Sequence, residues 1–121
     1  MPFGHEQLDV YRLSLDYVVR SRRIAERLSG SDRHLRDQLL RAAQSVPLNI
    51  AEGNGRGTDP DRRRHFEIAR GSALECAAIQ DILEVLGTIE PAQNREDKAT
   101  LVRIVAMLTK LGKRERPVAT P

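Results

Sequence analysis

The chain has 121 residues, a net charge of +3 and 31% charged residues, which is typical of a single globular domain. One cysteine excludes a disulfide scaffold, and two Phe, two Tyr and no Trp disfavour the domains that stack single-stranded bases on aromatic rings. No stretch approaches the ~20 apolar residues of a membrane-spanning helix, and the first residues do not resemble a secretory signal, so we expect a cytoplasmic protein.

Glycine and proline divide the sequence into four segments, and each segment has the apolar periodicity of a helix. In the first segment, for example, Leu8, Tyr11, Leu15 and Val18 recur at spacings of three and four. The predicted helices cover residues 6–28, 33–53, 60–86 and 95–111. Such short connections predict an all-α, up-and-down four-helix bundle over residues 1–112, followed by a flexible basic tail over residues 113–121.

Capping residues indicate where these helices begin and end. Asp59, followed by Pro60, is expected to cap the third helix, and Asn94 with an acid at position 97 is typical of a helix start. Gly87 and Gly112 are expected to end the third and fourth helices in the left-handed conformation.

The third segment is unusually apolar for a helix in a small bundle. Opposite a narrow polar face, the helical wheel places six apolar residues: Ile68, Leu74, Ala78, Ile79, Ile82 and Leu86. A helix that is apolar nearly all round must be buried on more than one side. We therefore expect a homo-oligomer; the alternative is that this helix lies deep within its own bundle.

Two residues that disfavour helices lie inside predicted helices. Pro47 in the second helix costs about 3 kcal/mol, and Gly71 in the third costs about 1 kcal/mol relative to alanine. We expect Pro47 to bend its helix around the core. Gly71, next to Ser72, is expected to form a smooth surface that lets another helix approach closely.

A line of polar residues runs along the second helix beside its apolar stripe: Gln38, Arg41, Ser45, Asn49 and Glu52. Ser72 and Glu75 lie one turn apart on the third helix. Such a line could be a ligand or proton-transfer site. We favour a structural network of hydrogen bonds that sets the helix register, formed by Arg41, Ser45, Asn49, Glu52, Ser72 and Glu75.

Two stretches resemble a known family, LLRAAQSVPLNIAEGNGR over residues 39–56 and FEIARGSALE over residues 66–75. Together they resemble the four-helix-bundle intervening-sequence proteins, whose members carry NIAEG and GS elements in this order. The resemblance implies four-helix bundles assembled as a barrel-like homopentamer and encoded in intervening sequences of ribosomal RNA genes. A similar bundle, the accessory variability protein of diversity-generating retroelements, associates with a reverse transcriptase and nucleic acid.

Charge is distributed unevenly along the chain. Residues 33–70 carry eight arginines and five acids, a net charge of +3. Residues 71–109 have a net charge of −3, and residues 110–121 have a net charge of +3. The modest overall charge therefore conceals basic blocks at the second connection and at the C-terminus.

The densest basic block is Arg62, Arg63 and Arg64, predicted to lie in the first turn of the third helix. Guanidinium groups and the unpaired amides of a helix N-terminus together suit a phosphate group. The preceding glycines follow a helix rather than a strand, so they do not predict a nucleotide-binding phosphate loop.

Candidate phosphate contacts lie in this block, at the end of the first helix and in the tail: Arg56, Arg62, Arg63, Arg64, Arg70, Arg20, Arg23, Lys113 and Arg114. Cations at the end of the first helix also complement the helix dipole, and Arg20 can pair with Asp16 one turn earlier. The 17 Arg against 3 Lys can equally reflect genomic base composition. We expect any nucleic-acid binding to be backbone-led, salt-dependent and strengthened by oligomeric repetition.

No catalytic or metal-binding constellation is visible in the sequence. The three histidines are far apart, and Cys76 lies on an apolar helix side that is typical of a buried thiol. Ser45 and Ser72 lack an evident histidine partner. We therefore predict a non-enzymatic oligomeric accessory protein, without cofactor or metal, that binds RNA or DNA. The alternative is a scaffold that binds an acidic or other protein partner, such as a reverse transcriptase.

Overall fold

The computed structural model describes residues 3–113, and these residues form helices without any strand. A 3-10 turn, Gly4–Gln7, precedes the first α-helix, and a second, Gly30–Asp32, leads into the second. The four α-helices are α1 (Asp9–Ala25), α2 (Arg33–Asn54), α3 (Asp59–Val85) and α4 (Pro91–Lys113). Each helix contacts the two beside it, α1 with α2 and α4, and α3 with α2 and α4. This arrangement confirms the predicted all-α four-helix bundle.

Several predicted helix ends differ from those in the structure, and α1 is three residues shorter at each end than the predicted segment 6–28. Thr58, not Asp59, caps α3, and its Oγ1 accepts a hydrogen bond of 3.4 Å from the amide of Asp61. α4 begins at Pro91 rather than at residue 95, because proline needs no amide partner in a first helical turn. Gly87 has the predicted left-handed conformation, with φ of 76°, whereas Gly112 lies inside α4.

The core contains at least one large side chain from every helix: Tyr17, Leu39, Ile50, Phe66, Leu83 and Ile104 are all fully buried. Cys76 is enclosed among them, as predicted, and burial raises the pKa of its thiol to about 12. α2 continues through Pro47, whose ring is buried against the core. The predicted basic tail lies outside the described residues except for Lys113, which belongs to α4.

A polar network that the sequence patterns did not predict crosses the core. The Tyr17 hydroxyl of α1 donates to Gln80 Oε1 of α3, and Gln80 Nε2 donates to Asn94 Oδ1 of α4 at 3.0 Å. Asn94 Nδ2 in turn donates to Glu84 Oε1 at 2.9 Å and to Asp81 Oδ1 at 3.1 Å. Asn94 is therefore an interhelical bridge, and this explains why it does not start α4.

An apolar stripe remains on the outer surface of α3, formed by Ile68, Leu74, Ile82, Val85 and Leu86, which are 39–86% exposed. Of the six apolar residues singled out in the sequence, Ile79 does not belong to this stripe because it is buried within its own bundle. A Cβ atom at Gly71 would meet no heavy atom within 4 Å, so no helix of the same chain approaches there. No helix among the described residues is long and apolar enough to span a membrane.

Candidate nucleic-acid interface

The three consecutive arginines lie further along α3 than predicted. Because α3 begins at Asp59, only Arg62 belongs to its first turn, together with Asp59 and Asp61. Those two acids complement the positive end of the helix dipole. The expected convergence of three arginines on a bare helix N-terminus is therefore not formed.

Arg62 faces the protein rather than solvent. Its guanidinium carbon lies 5.0 Å from the centre of the Phe66 ring, and the residue is only 8% exposed. The planar cation thus stacks on an aromatic face and covers the end of the core. Arg62 is consequently not available as a phosphate contact in this conformation.

Arg63 is half-buried and Arg64 is exposed. Neither side chain forms a hydrogen bond or ion pair with another residue between positions 3 and 113. Arg56 is also exposed, and its Nη2 donates to Glu52 Oε2 at 2.8 Å. A side chain in an exposed ion pair exchanges its partner at little cost. These three arginines surround the connection between α2 and α3.

Two further candidates lie on the same end of the bundle. Arg70 is half-buried on α3 and donates from Nε to Thr109 Oγ1 of α4 at 3.0 Å. Its Nη1 lies 4.0 Å from Glu67 Oε2 of the same helix, so it is the bond to Thr109 that links α3 with α4. Lys113 is exposed at the end of α4, and the remaining candidate, Arg114, lies outside the described residues.

Arg20 and Arg23 lie towards the opposite end of the bundle. Arg20 Nη1 donates to Asp97 Oδ1 at 2.9 Å and to Glu96 Oε1 at 3.4 Å, so the expected pairing with Asp16 is wrong. The hydrogen bond to Asp97 is the main cause of a raised pKa at Arg20. Arg23 is exposed. The candidate cations of the sequence therefore divide into two groups at opposite ends.

Part of the predicted polar line forms a hydrogen-bond chain between α2 and α3. Asn49 Nδ2 donates to Ser45 Oγ at 3.0 Å, and Ser72 Oγ donates to the same oxygen at 2.8 Å. His65, which the sequence interpretation did not include, joins the chain through Nδ1, 3.1 Å from Asn49 Oδ1. Its position seven residues before Ser72 places both on one helix face, a signal that was available in the sequence.

The other members of the predicted line lie outside this chain. Glu52 pairs with Arg56 at the surface. Arg41 and Glu75 are exposed and have no polar partner among residues 3–113. Asn49 separates the imidazole from both serine hydroxyls, so the cluster does not place a base next to a nucleophile. Within residues 3–113, no three His, Cys, Asp or Glu side chains are grouped so that they could hold a metal ion.

Comparison with known proteins identifies the family. The profile of the 23S rRNA-intervening sequence proteins matches residues 6–110. The chain belongs to the 23S rRNA-intervening sequence protein family. The family resemblance stated for the two sequence stretches is thus confirmed.

One solved structure is similar over nearly its whole length. It is the crystal structure of a protein of unknown function from the S23 ribosomal protein family of Bacteroides thetaiotaomicron VPI-5482. The TM-score is 0.80 at 22% sequence identity, and the match covers 87% of this chain and 99% of the other. At this identity the likeness supports the fold alone. No curated protein matches the chain in sequence.

Proposed function

We propose that this intervening-sequence protein is a non-enzymatic, oligomeric accessory protein that binds the nucleic-acid backbone through arginines at the α2–α3 connection. The observation that carries the proposal is the position of Arg63 and Arg64, which have no polar partner among residues 3–113. Arg56 adds a third guanidinium group within the connection itself. Arginines of this kind bind phosphate oxygens with little dependence on base sequence.

Oligomerisation is part of the proposal because α3 keeps an apolar face that its own bundle does not cover. Ile82 is 45% exposed and Val85 is 86% exposed on this helix. Burying such side chains against a second copy stabilises an assembly by about 25 cal/mol per Å² of apolar area. Gly71, open on the same helix, allows a second copy to approach closely. A closed ring repeats each weak arginine cluster, and the repetition raises overall affinity.

Salt-titrated binding of RNA and DNA tests the nucleic-acid part of the proposal. The decisive variant is Arg63→Gln/Arg64→Gln, and Arg62 is left intact because its loss disturbs the core contact with Phe66. We expect this variant to bind at least about tenfold more weakly at low salt, with a smaller salt slope. Arg103→Gln, at an exposed position of α4, is the matched control. Equal binding by all three proteins contradicts the proposal.

Sedimentation at micromolar concentration tests the assembly. We expect wild type to be oligomeric and Ile82→Glu to dissociate, because the new carboxylate would be buried in the interface. Ala99→Glu adds the same charge at an exposed position of α4 and should leave the assembly intact. A wild-type protein that is monomeric contradicts this part.

A scaffold for another protein is the second candidate function. The same exposed stripe of α3 favours it, because exposed apolar surface of this kind marks a docking site for some partner. The two candidate functions predict different oligomeric states and different binding of RNA and DNA. A monomer that binds neither RNA nor DNA at low salt leaves the α3 stripe to a different protein and favours the scaffold.

A further inference from the structure

A small polar cleft opens between α1 and α4, at the end of the bundle away from the α2–α3 connection. Its walls include Arg20 and Arg23 of α1, Arg27 of the turn that follows α1, and Gln93, Glu96 and Asp97 of α4. Its volume is about 170 Å³. Pockets for drug-sized ligands are larger, at roughly 300–1,000 Å³. The cleft suits a small ion with a few water molecules rather than a base or a cofactor.

Arg20 is held in the cleft by an ion pair with the buried carboxylate of Asp97. Asp97 is 2% exposed, and both of its carboxylate oxygens are engaged: Oδ1 accepts from Arg20 Nη1 and Oδ2 accepts from Gln93 Nε2, each at 2.9 Å. The Nε and Nη2 groups of Arg20 have no acceptor among residues 3–113. A guanidinium group anchored by a buried carboxylate loses little conformational entropy when it binds an anion.

Two further arginines line the cleft, one from α1 and one from the turn after it. Arg23 and Arg27 are exposed, lie one turn apart, and make no ion pair with any residue in the range 3–113. Two carboxylates oppose these arginines. Asp97 is already bound to Arg20 and Gln93, and Glu96 lies 3.4 Å from Arg20 through a side chain that is 66% exposed and can turn into solvent.

We propose that this cleft binds a phosphate group, with Arg20 as the preoriented donor and Arg23 and Arg27 closing over the anion. The planar guanidinium group matches the spacing of two phosphate oxygens, and the three guanidinium groups exceed the two carboxylates of the cleft, Glu96 and Asp97, by one charge. The site is independent of the proposed function, because Arg56, Arg63 and Arg64 lie at the other end of the bundle. Its ligand is free phosphate, or the terminal phosphate of an oligonucleotide.

Calorimetric titration of the purified protein with inorganic phosphate and with pyrophosphate tests the cleft directly. We expect both anions to bind wild type. Arg23→Gln and Arg27→Gln should each weaken binding by about tenfold, as the loss of one charge-assisted hydrogen-bond donor predicts. Arg22→Gln is the matched control, because Arg22 is exposed on the same helix but lines a different cleft towards α2. Arg20 is not substituted, since its loss would leave the buried Asp97 without a cation.

The source of the phosphate is distinguished with short oligonucleotides that carry either a 5′-phosphate or a 5′-hydroxyl. These are tested on Arg63→Gln/Arg64→Gln protein, so that backbone binding at the opposite end does not contribute. Tighter binding of the phosphorylated oligonucleotide identifies a terminal phosphate, and equal binding identifies free phosphate. The proposal is overturned if neither phosphate nor pyrophosphate binds wild type below about 10 mM. It is equally overturned if Arg23→Gln and Arg27→Gln bind as wild type does.

Discussion

Arg62 lies with its guanidinium carbon 5.0 Å from the centre of the Phe66 ring, although its sequence neighbours Arg63 and Arg64 lie towards solvent. An α-helix turns by about 100° per residue, so three consecutive arginines cannot share one environment. One of them closes the end of the core, and the other two remain available to a ligand. The same residue type thus contributes to the core at one position and, in the proposed function, to phosphate binding at the next two.

Substitution of Arg62 should affect stability, whereas substitution of Arg64 should not. Arg62→Ala removes the contact of a cation with an aromatic ring and the packing of its aliphatic stem, and should lower the free energy of unfolding by about 1–2 kcal/mol. Arg64→Ala, at an exposed position, should change it by less than about 0.5 kcal/mol. Urea denaturation followed by circular dichroism measures both, and equal losses would show that Arg62 is not held by Phe66.

The hydrogen-bond chain between α2 and α3 predicts a difference between two neighbouring polar residues. Asn49→Ala removes the partner of His65 Nδ1 and leaves Ser45 Oγ with only the hydrogen bond from Ser72, and it should cost about 1–2 kcal/mol of stability. Glu52→Ala removes only an exposed pair with Arg56 and should cost less than about 0.5 kcal/mol. Thermal unfolding of the two variants at equal protein concentration provides the comparison. A larger loss for Glu52→Ala contradicts the assignment of Asn49 to the structural network.

Two glycines inside helices should respond oppositely to alanine. A Cβ atom at Gly53 would lie 2.9 Å from Phe66 Cε1 and 3.1 Å from the carbonyl oxygen of Arg62, so Gly53→Ala should destabilise the bundle by about 1–3 kcal/mol. At Gly71 no atom lies within 4 Å, and Gly71→Ala should stabilise the isolated bundle by about 0.4–1 kcal/mol. If Gly71→Ala also shifts sedimentation towards the monomer, its surface takes part in the proposed assembly. Equal stability changes at the two positions would argue against the close packing at Gly53.

Acid should weaken an ion pair between α3 and α4. Lys98 Nζ donates to Asp81 Oδ1 at 2.6 Å, and this bond, with a second from Asn94, lowers the pKa of Asp81 below its ordinary value of 3.8. The resulting stability is present above that value and is lost as the pH falls through the lower pKa of the folded state. Lys98→Met should therefore lose less stability than wild type between about pH 4 and pH 2.

The size of this acid effect is limited, because the Asp81 side chain is 56% exposed and surface pairs contribute at most about 1 kcal/mol. Urea denaturation at several pH values measures it. Lys110→Met, which removes an exposed lysine of the same helix, is the control and should follow wild type. If the free energy of unfolding falls with pH equally in Lys98→Met and wild type, Lys98 does not contribute to the acid effect.

The sequence was sufficient to predict the helices and most of the core, because apolar spacing of three and four reports directly on the buried face of a helix. It was insufficient where a residue's partner lies on another helix. Asn94 and Asp97 have the residue types of a helix start, yet they bridge to Gln80 and Arg20. Arg20 and Asp97 are 77 positions apart, and no local pattern encodes that pairing. The inward position of Arg62, in contrast, had a local signal, because Phe66 lies four residues later on the same helix.

The buried thiol of Cys76 provides an internal probe of the transient opening of the bundle. A thiol-specific reagent needs the thiolate, and burial both shields the sulfur and raises its pKa to about 12. Modification therefore requires an opening of the bundle. In excess reagent, the rate of modification equals the rate of opening. Because the chain contains no other cysteine, the modification rate can be measured on the wild-type protein. Comparing the modification rate before and after dilution reports how far the proposed assembly suppresses the opening of each copy of the bundle.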